Sequence, residues 1–170
     1  MRHHPIESIN GSTAKYHLTL AQNQNRANGK RPNLPSSIFH PHTPRDMIKF
    51  LHTRIRVQDL DRSIAFYKVL GYQEKERKTS PQGNQLAFLE LPGNDAFLEL
   101  TWSADYSTTC PEDLMHTALG VPDIVEYCDA VEKAGIEIWP SKWREKFTSG
   151  ERKMAFVTDP DGYEVEILER

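Results

Sequence analysis

The sequence predicts an α+β fold: two tandem βαβββ modules forming a concave mixed sheet, preceded by a flexible N-terminal arm. Three observations carry that expectation. His-Thr opens an apolar strand pattern twice, in "FLHTRIRV" and in "LMHTALGV". An amphipathic run ending in Gly follows each of them. Two strand patterns joined by turn residues then close each half, across "PGND" in the first and "DPDG" in the second.

Taken in order, the first 46 residues stand apart. "NQNRANGKRPNLPSS" is rich in Asn, Pro, Ser and Gly and has no hydrophobic period. Such a composition buries too little apolar surface to offset the entropy of ordering. Residues 1–46 therefore read as the arm, and the histidines of "RHHP" and "FHPHTP" as solvated tail residues. Residues 47–170 read as one domain, with module one at 47–105 and module two at 114–170.

In "HTRIRV" alternation places His52, Arg54 and Arg56 on one strand face and Thr53, Ile55 and Val57 on the other. "DLDRSIAFYKVLG" is a helix capped by Asp59 or Asp61, with Leu60, Ile64, Tyr67 and Leu70 at helical spacing and Gly71 as its stop. "QLAFLEL" and "AFLELTW" form a hairpin. The second half repeats the order: "MHTALGV" as a strand, then "PDIVEYCDAVEKAG" as a helix with Ile124, Cys128, Val131 and Ala134 inward. His52 and His116 are 64 positions apart, Ala87 and Ala155 68, Glu99 and Glu166 67. A register kept through strand, helix and hairpin is that of a duplicated module. Such modules bury their helix faces and leave a sheet concavity for a ligand.

The bulk properties exclude several functions. A net charge of -3 gives no electrostatic draw toward nucleic acid or anionic membrane. No apolar run approaches the ~20 residues of a membrane span, and "YHLTLA" is too short and polar for a secretory signal. Cys110 and Cys128 have neither metal-like nor redox-like spacing. A reduced, cytoplasmic protein acting on a small molecule is expected.

The repeated positions point to metal chemistry. Glu99 shares its strand face with Phe97 and Thr101, while Leu98 and Leu100 point oppositely; Glu166 alternates with Val165 and Ile167 in the same way. Each module thus offers one imidazole, His52 or His116, and one carboxylate, Glu99 or Glu166. Carboxylates in a concavity need a compensating charge, and two of them balance one divalent cation. Without a thiolate, the donor set suits Zn, Ni, Co, Fe or Mn. "DPDG" lacks calcium-loop spacing and reads as a tight turn.

"LHTRIRVQDLDRSIAFYKVLG", "LELTW", "MHTALGV" and "MAFVTDPDGYEVEIL" together resemble the glyoxalase I (lactoylglutathione lyase) family of the vicinal oxygen chelate superfamily, from about Met47 to Arg170. The resemblance implies one divalent metal ion per site, held by His52, Glu99, His116 and Glu166. The short connection after the first helix resembles the compact bacterial type, which implies Ni or Co before Zn and a homodimer with its sites at the interface. The implied reaction converts the hemithioacetal of methylglyoxal and glutathione to an S-2-hydroxyacyl thioester through an enediolate. Glu166 is the first choice for the base, with Glu99 as ligand and partner base. Arg56 falls where the family binds a carboxylate of glutathione, its co-substrate.

Two departures concern the thiol. Ser103 stands where the family has Asn, and "KFTSGERKMAF" replaces a Lys-Gly-Gly loop, leaving Lys146, Arg152 or Lys153 as stand-ins. Two alternatives stay open: another metal-dependent enzyme of the superfamily (dioxygenase, epimerase or thiol transferase), or a non-catalytic binding protein of the same fold. The acid at Glu99 speaks against the first, and the four filled ligand positions against the second.

Overall fold

The computed structural model describes residues 49–107, 109–149 and 152–170. The expected arm, residues 1–46, lies outside them. Module one comprises β1 (His52–Arg56), α1 (Leu60–Val69), β2 (Gln73–Thr79), β3 (Gln85–Glu90) and β4 (Phe97–Trp102). Its strands form a four-stranded sheet ordered β1-β4-β3-β2. Module two comprises β5 (His116–Val121), α2 (Ile124–Lys133), α3 (Trp143–Thr148), β6 (Met154–Thr158) and β7 (Glu164–Glu169), with a three-stranded sheet ordered β5-β7-β6. In each sheet the first strand pairs in parallel with the last, and the other pairings are antiparallel.

Local chemistry accounts for the shared frame. Asp59 caps α1, its carboxylate accepting from the Arg62 amide, and Asp123 caps α2 by accepting from the Val125 and Glu126 amides. Both helices stop at a glycine with positive φ, 96° at Gly71 and 91° at Gly135, which a residue with a Cβ adopts only under strain. The helix-facing strand positions are fully buried: Ile55, Ala87, Leu98 and Leu100 in one module, Ala155, Val157, Val165 and Ile167 in the other. Each such Leu, Ile or Val contributes about 1.5–3 kcal/mol through burial. On α2, Ile124, Cys128 and Val131 turn inward as expected, but Ala134 is exposed because it already caps the helix.

The modules differ from the expected pair of identical βαβββ units. Where module two should carry a strand after its helix, a single β-bridge joins Trp139 to Phe156. Pro140 follows, and with no N–H it cannot extend a ladder. The chain then enters α3, which buries Trp143 and Phe147, four residues apart on one helical face. In module one the corresponding strand, β2, survives as a polar outer strand of seven mostly exposed residues. Its alternating charges suit a sheet edge that must not recruit another strand.

The "DPDG" turn is more than a tight turn. Asp159 and Asp161 are both buried. The Asp161 carboxylate accepts from the Gln58 amide and the Ser63 hydroxyl, each at 3.0 Å, and Asp159 accepts from the Tyr67 hydroxyl at 3.0 Å. All three donors belong to module one, so this turn ties module two to the start and inner face of α1.

Candidate metal centre

Parallel pairing of β1 with β4, and of β5 with β7, places a histidine and a glutamate on one face of each sheet. In module one His52 Nε2 lies 3.6 Å from Glu99 Oε2; in module two His116 Nε2 lies 3.6 Å from Glu166 Oε2. These separations are too long for a hydrogen bond. They are close to the ~3–3.5 Å between two donors that share one ion at bonds of about 2.1 Å. The imidazoles are 41% and 51% exposed, the carboxylates 12% and 15%. Each pair therefore offers donor atoms outward from a half-buried base, and the donor set fits a divalent cation.

The two pairs do not meet. Among the described residues no group of three or more His, Cys, Asp or Glu side chains is close enough to hold a metal ion. Each module thus presents one His/Glu pair on its own sheet.

Their surroundings differ. The His52 ring stacks on Phe97, with centroids 5.0 Å apart and planes 17° from parallel, whereas His116 meets only the edge of Phe156 at 6.1 Å. Thr101 Oγ1 donates to Glu99 Oε1 at 3.1 Å. The cross-strand neighbour of each glutamate is an aromatic, Phe88 for Glu99 and Phe156 for Glu166.

The residues expected to hold the thiol are divided. Arg56 and Ser103 come together: the guanidinium donates through Nη2 to the Ser103 hydroxyl and lies 4.6 Å from the centre of the Tyr106 ring. Both line a cavity of about 510 Å³ with Trp102, Asp105 and the Gln82–Asn84 turn, and the buried Arg56 Nε has no hydrogen-bond partner among the described residues. Lys153 is elsewhere. Its ammonium binds Glu169 at 2.8 Å on the helix-packed side of β7, opposite the face of Glu166. Lys146 lies half-buried on α3, and Arg152 is exposed just before β6. Neither lines the Arg56 cavity.

Sequence reasoning missed Tyr163, whose hydroxyl accepts from the Arg56 amide at 3.3 Å across the module boundary, and whose phenol burial pushes up to about 12. It also missed Tyr106. Both belong to loops or turns, where no periodicity marks an inward side chain. A second cavity, of about 610 Å³, opens beside His116, lined by Trp139, Phe156 and the carboxylates of Glu112, Asp113, Glu137 and Glu164. No helix among the described residues is long and apolar enough to cross a membrane.

Known proteins resemble this chain in sequence and in fold. The chain is 38% identical over 125 residues to the probable lactoylglutathione lyase of Synechocystis sp., covering 70% of this chain and 93% of the relative. It is 35% identical over 127 residues to the lactoylglutathione lyase of Haemophilus influenzae, covering 72% and 93%. Among solved structures it resembles the trypanothione-dependent glyoxalase I of Leishmania major, with a TM-score of 0.58 and 35% identity over 72% of this chain and 86% of that one. Residues 49–167 match the family model for these proteins, and the chain belongs to the Glyoxalase/Bleomycin resistance protein/Dioxygenase superfamily.

Proposed function

We propose that this chain is a metal-dependent isomerase of the glyoxalase I type, which converts the hemithioacetal of methylglyoxal and a thiol to the 2-hydroxyacyl thioester. The observation that carries the reading is the matched pair of His/Glu half-sites, each with its donor atoms 3.6 Å apart on the exposed face of a sheet. The relatives named lactoylglutathione lyase, alike over most of their length, support the same activity.

Because one chain holds two half-sites, the complete centre needs a second copy: His52 and Glu99 of one protomer face His116 and Glu166 of its partner. Charge supports that pairing. The β1 face carries Arg54 and Arg56 beside His52, while β7 carries Glu164 beside Glu166, and β5 has only Ala118 and Gly120 at the positions equivalent to the arginines. Apolar side chains border both halves, with Phe50 and Leu51 exposed next to His52 and Leu114 exposed near His116.

The divalent ion, of which Ni, Co and Zn all suit the donors, supplies Lewis-acid stabilisation of the charge that develops on the substrate oxygens. Glu166 removes the proton from the carbon bearing sulfur and oxygen and returns it to the neighbouring carbon. Arg56, held by Ser103 and stacked near Tyr106, receives a carboxylate of the thiol, for which glutathione is the first candidate.

Two measurements test this. Thioester formation from methylglyoxal and glutathione is followed with added Ni or Zn; no turnover with any thiol overturns the isomerase reading. Mixing inactive His52→Ala with inactive His116→Ala chains then tests the shared centre. Random pairing in a two-fold dimer leaves about a quarter of the sites intact, so roughly a quarter of the activity returns. No recovery overturns the two-chain site.

A further inference from the structure

We propose that Thr101 is a positioning residue that makes Glu99 the stationary carboxylate and leaves Glu166 as the one that moves; this rests on the isomerase reading above. Thr101 is 1% exposed, and its hydroxyl donates to Glu99 Oε1 at 3.1 Å. The other oxygen, Oε2, is the one facing His52. The two residues are neighbours on one face of β4, and a β-branched threonine holds its hydroxyl in few orientations. The bond is charge-assisted. For Glu99 to swing, it must break and leave a buried hydroxyl without this partner.

Module two lacks this restraint. The same two-residue step along β7 leads from Glu166 to Leu168, which has no donor. Among the described residues no hydrogen bond reaches either Glu166 oxygen, whose polar neighbour is His116 Nε2 at 3.6 Å. The aromatic opposite each glutamate is a phenylalanine in both halves, so that contact does not distinguish them. What differs lies on either side along the strand: Phe97 and Thr101 flank Glu99, and Glu164 and Leu168 flank Glu166. Phe97 adds to the asymmetry by stacking on His52, which holds the imidazole in place. A carboxylate that both ligates and accepts a proton must loosen from the ion, and only one of the two is free to do so. Proton transfer is then confined to one side of the reacting carbon.

The test uses the full-length protein, stripped of metal and titrated with Ni2+ by calorimetry, with melting curves as a folding control. Thr101→Val weakens Ni2+ binding about tenfold, the scale of losing one hydrogen bond to a charged group, and Thr101→Ser restores it to within about twofold. The converse substitution, Leu168→Thr, places a hydroxyl beside Glu166. It leaves Ni2+ affinity undiminished and lowers kcat about tenfold at unchanged KM, as expected when an interaction that holds the base is added. Wild-type affinity in Thr101→Val, or wild-type kcat in Leu168→Thr, overturns the assignment. Wild-type protein that takes up none of Ni2+, Co2+ and Zn2+ overturns both this assignment and the reading beneath it, so the two failures are distinguishable.

Discussion

The two modules present the same His/Glu separation, 3.6 Å, on different supports. Module one has four strands, a stacked imidazole, a hydrogen-bonded carboxylate and two arginines along β1. Module two has three strands, an edge-on imidazole, a carboxylate that has no donor among the described residues, and small residues along β5. The two halves share the His/Glu pair and little else on that face. On the proposed reading the halves have specialised: module one would fix and recognise, while module two would leave room for a carboxylate to move. Charge follows the same division, with cations beside His52 and carboxylates around the cavity beside His116.

The largest effect should separate the two glutamates. Glu166→Gln lowers kcat by about 10²–10⁴, the usual worth of a general base, even at saturating Ni2+. Glu99→Gln acts first on metal affinity and recovers most of its kcat once Ni2+ is saturating. Steady-state kinetics across a Ni2+ titration measures both. Equal kcat losses at saturation would make the halves chemically equivalent and erase the comparison.

The connecting turns of the two hairpins contrast as sharply as the glutamates. "PGND" in module one is exposed, and among the described residues Asp95 meets only the exposed Lys49, at 3.2 Å. "DPDG", at the same place in the repeat, is buried against α1. Asp161→Ala removes a fully buried carboxylate, strands the Gln58 amide and takes one of two acceptors from the Ser63 hydroxyl, which keeps the Asp59 carbonyl. That costs about 2–5 kcal/mol, read as a fall in melting temperature. Asp95→Ala should leave the melting temperature unchanged, because an exposed ion pair is screened by water. Similar shifts for both would show that the buried turn does not hold the modules together.

These turns also mark how far the sequence is legible. Strand faces, helix caps and the ligand candidates could be read because each depends on neighbours two to four residues away. His52, Arg54 and Arg56 alternate with Ile55 and Val57 whatever the rest of the chain does. The fate of "DPDG" depends instead on Ser63 and Tyr67, more than ninety residues earlier, and its composition would be the same in a solvated turn. The α3 helix was hidden because six residues carry too little period to stand out, and its tryptophan and phenylalanine are buried by tertiary contacts. The proposed meeting of four ligands was the least legible of all, since the described residues come together only in pairs.

A smaller effect probes recognition in module one. Arg56 is held on Ser103 and beside Tyr106 through a planar fork that lysine lacks. Arg56→Lys should raise KM for the thiol about tenfold and leave kcat within about twofold, because the contact binds substrate and transition state alike. A kcat loss without a KM change would place Arg56 in the chemistry and move part of the catalytic role into the recognising half.

The smallest effect concerns Asp159, at the seam between the halves. Burial is the main cause that raises its carboxyl above the ordinary 3.8; the nearby Asp161 adds to this, and hydrogen bonds from the Tyr163 and Asp161 amides and the Tyr67 hydroxyl pull it back only in part. The sign follows from where the proton binds. At neutral pH the carboxylate is charged in both folded and unfolded chains, and the fold bears the cost of burying that charge. As pH falls through the folded value, the folded chain takes up a proton before the unfolded one does, and that cost is relieved. The gain is complete below 3.8, where the unfolded chain is protonated as well. Asp159→Asn is neutral throughout and lacks this dependence. The stability of the wild type relative to the variant should therefore rise as pH is lowered from about 7 toward about 4, measured by paired denaturant unfolding curves. A difference that stays flat would mean that the three hydrogen bonds offset desolvation fully. A difference that moves the other way would mean that they outweigh it, and the seam would then be held by a charged carboxylate at every pH where the protein folds.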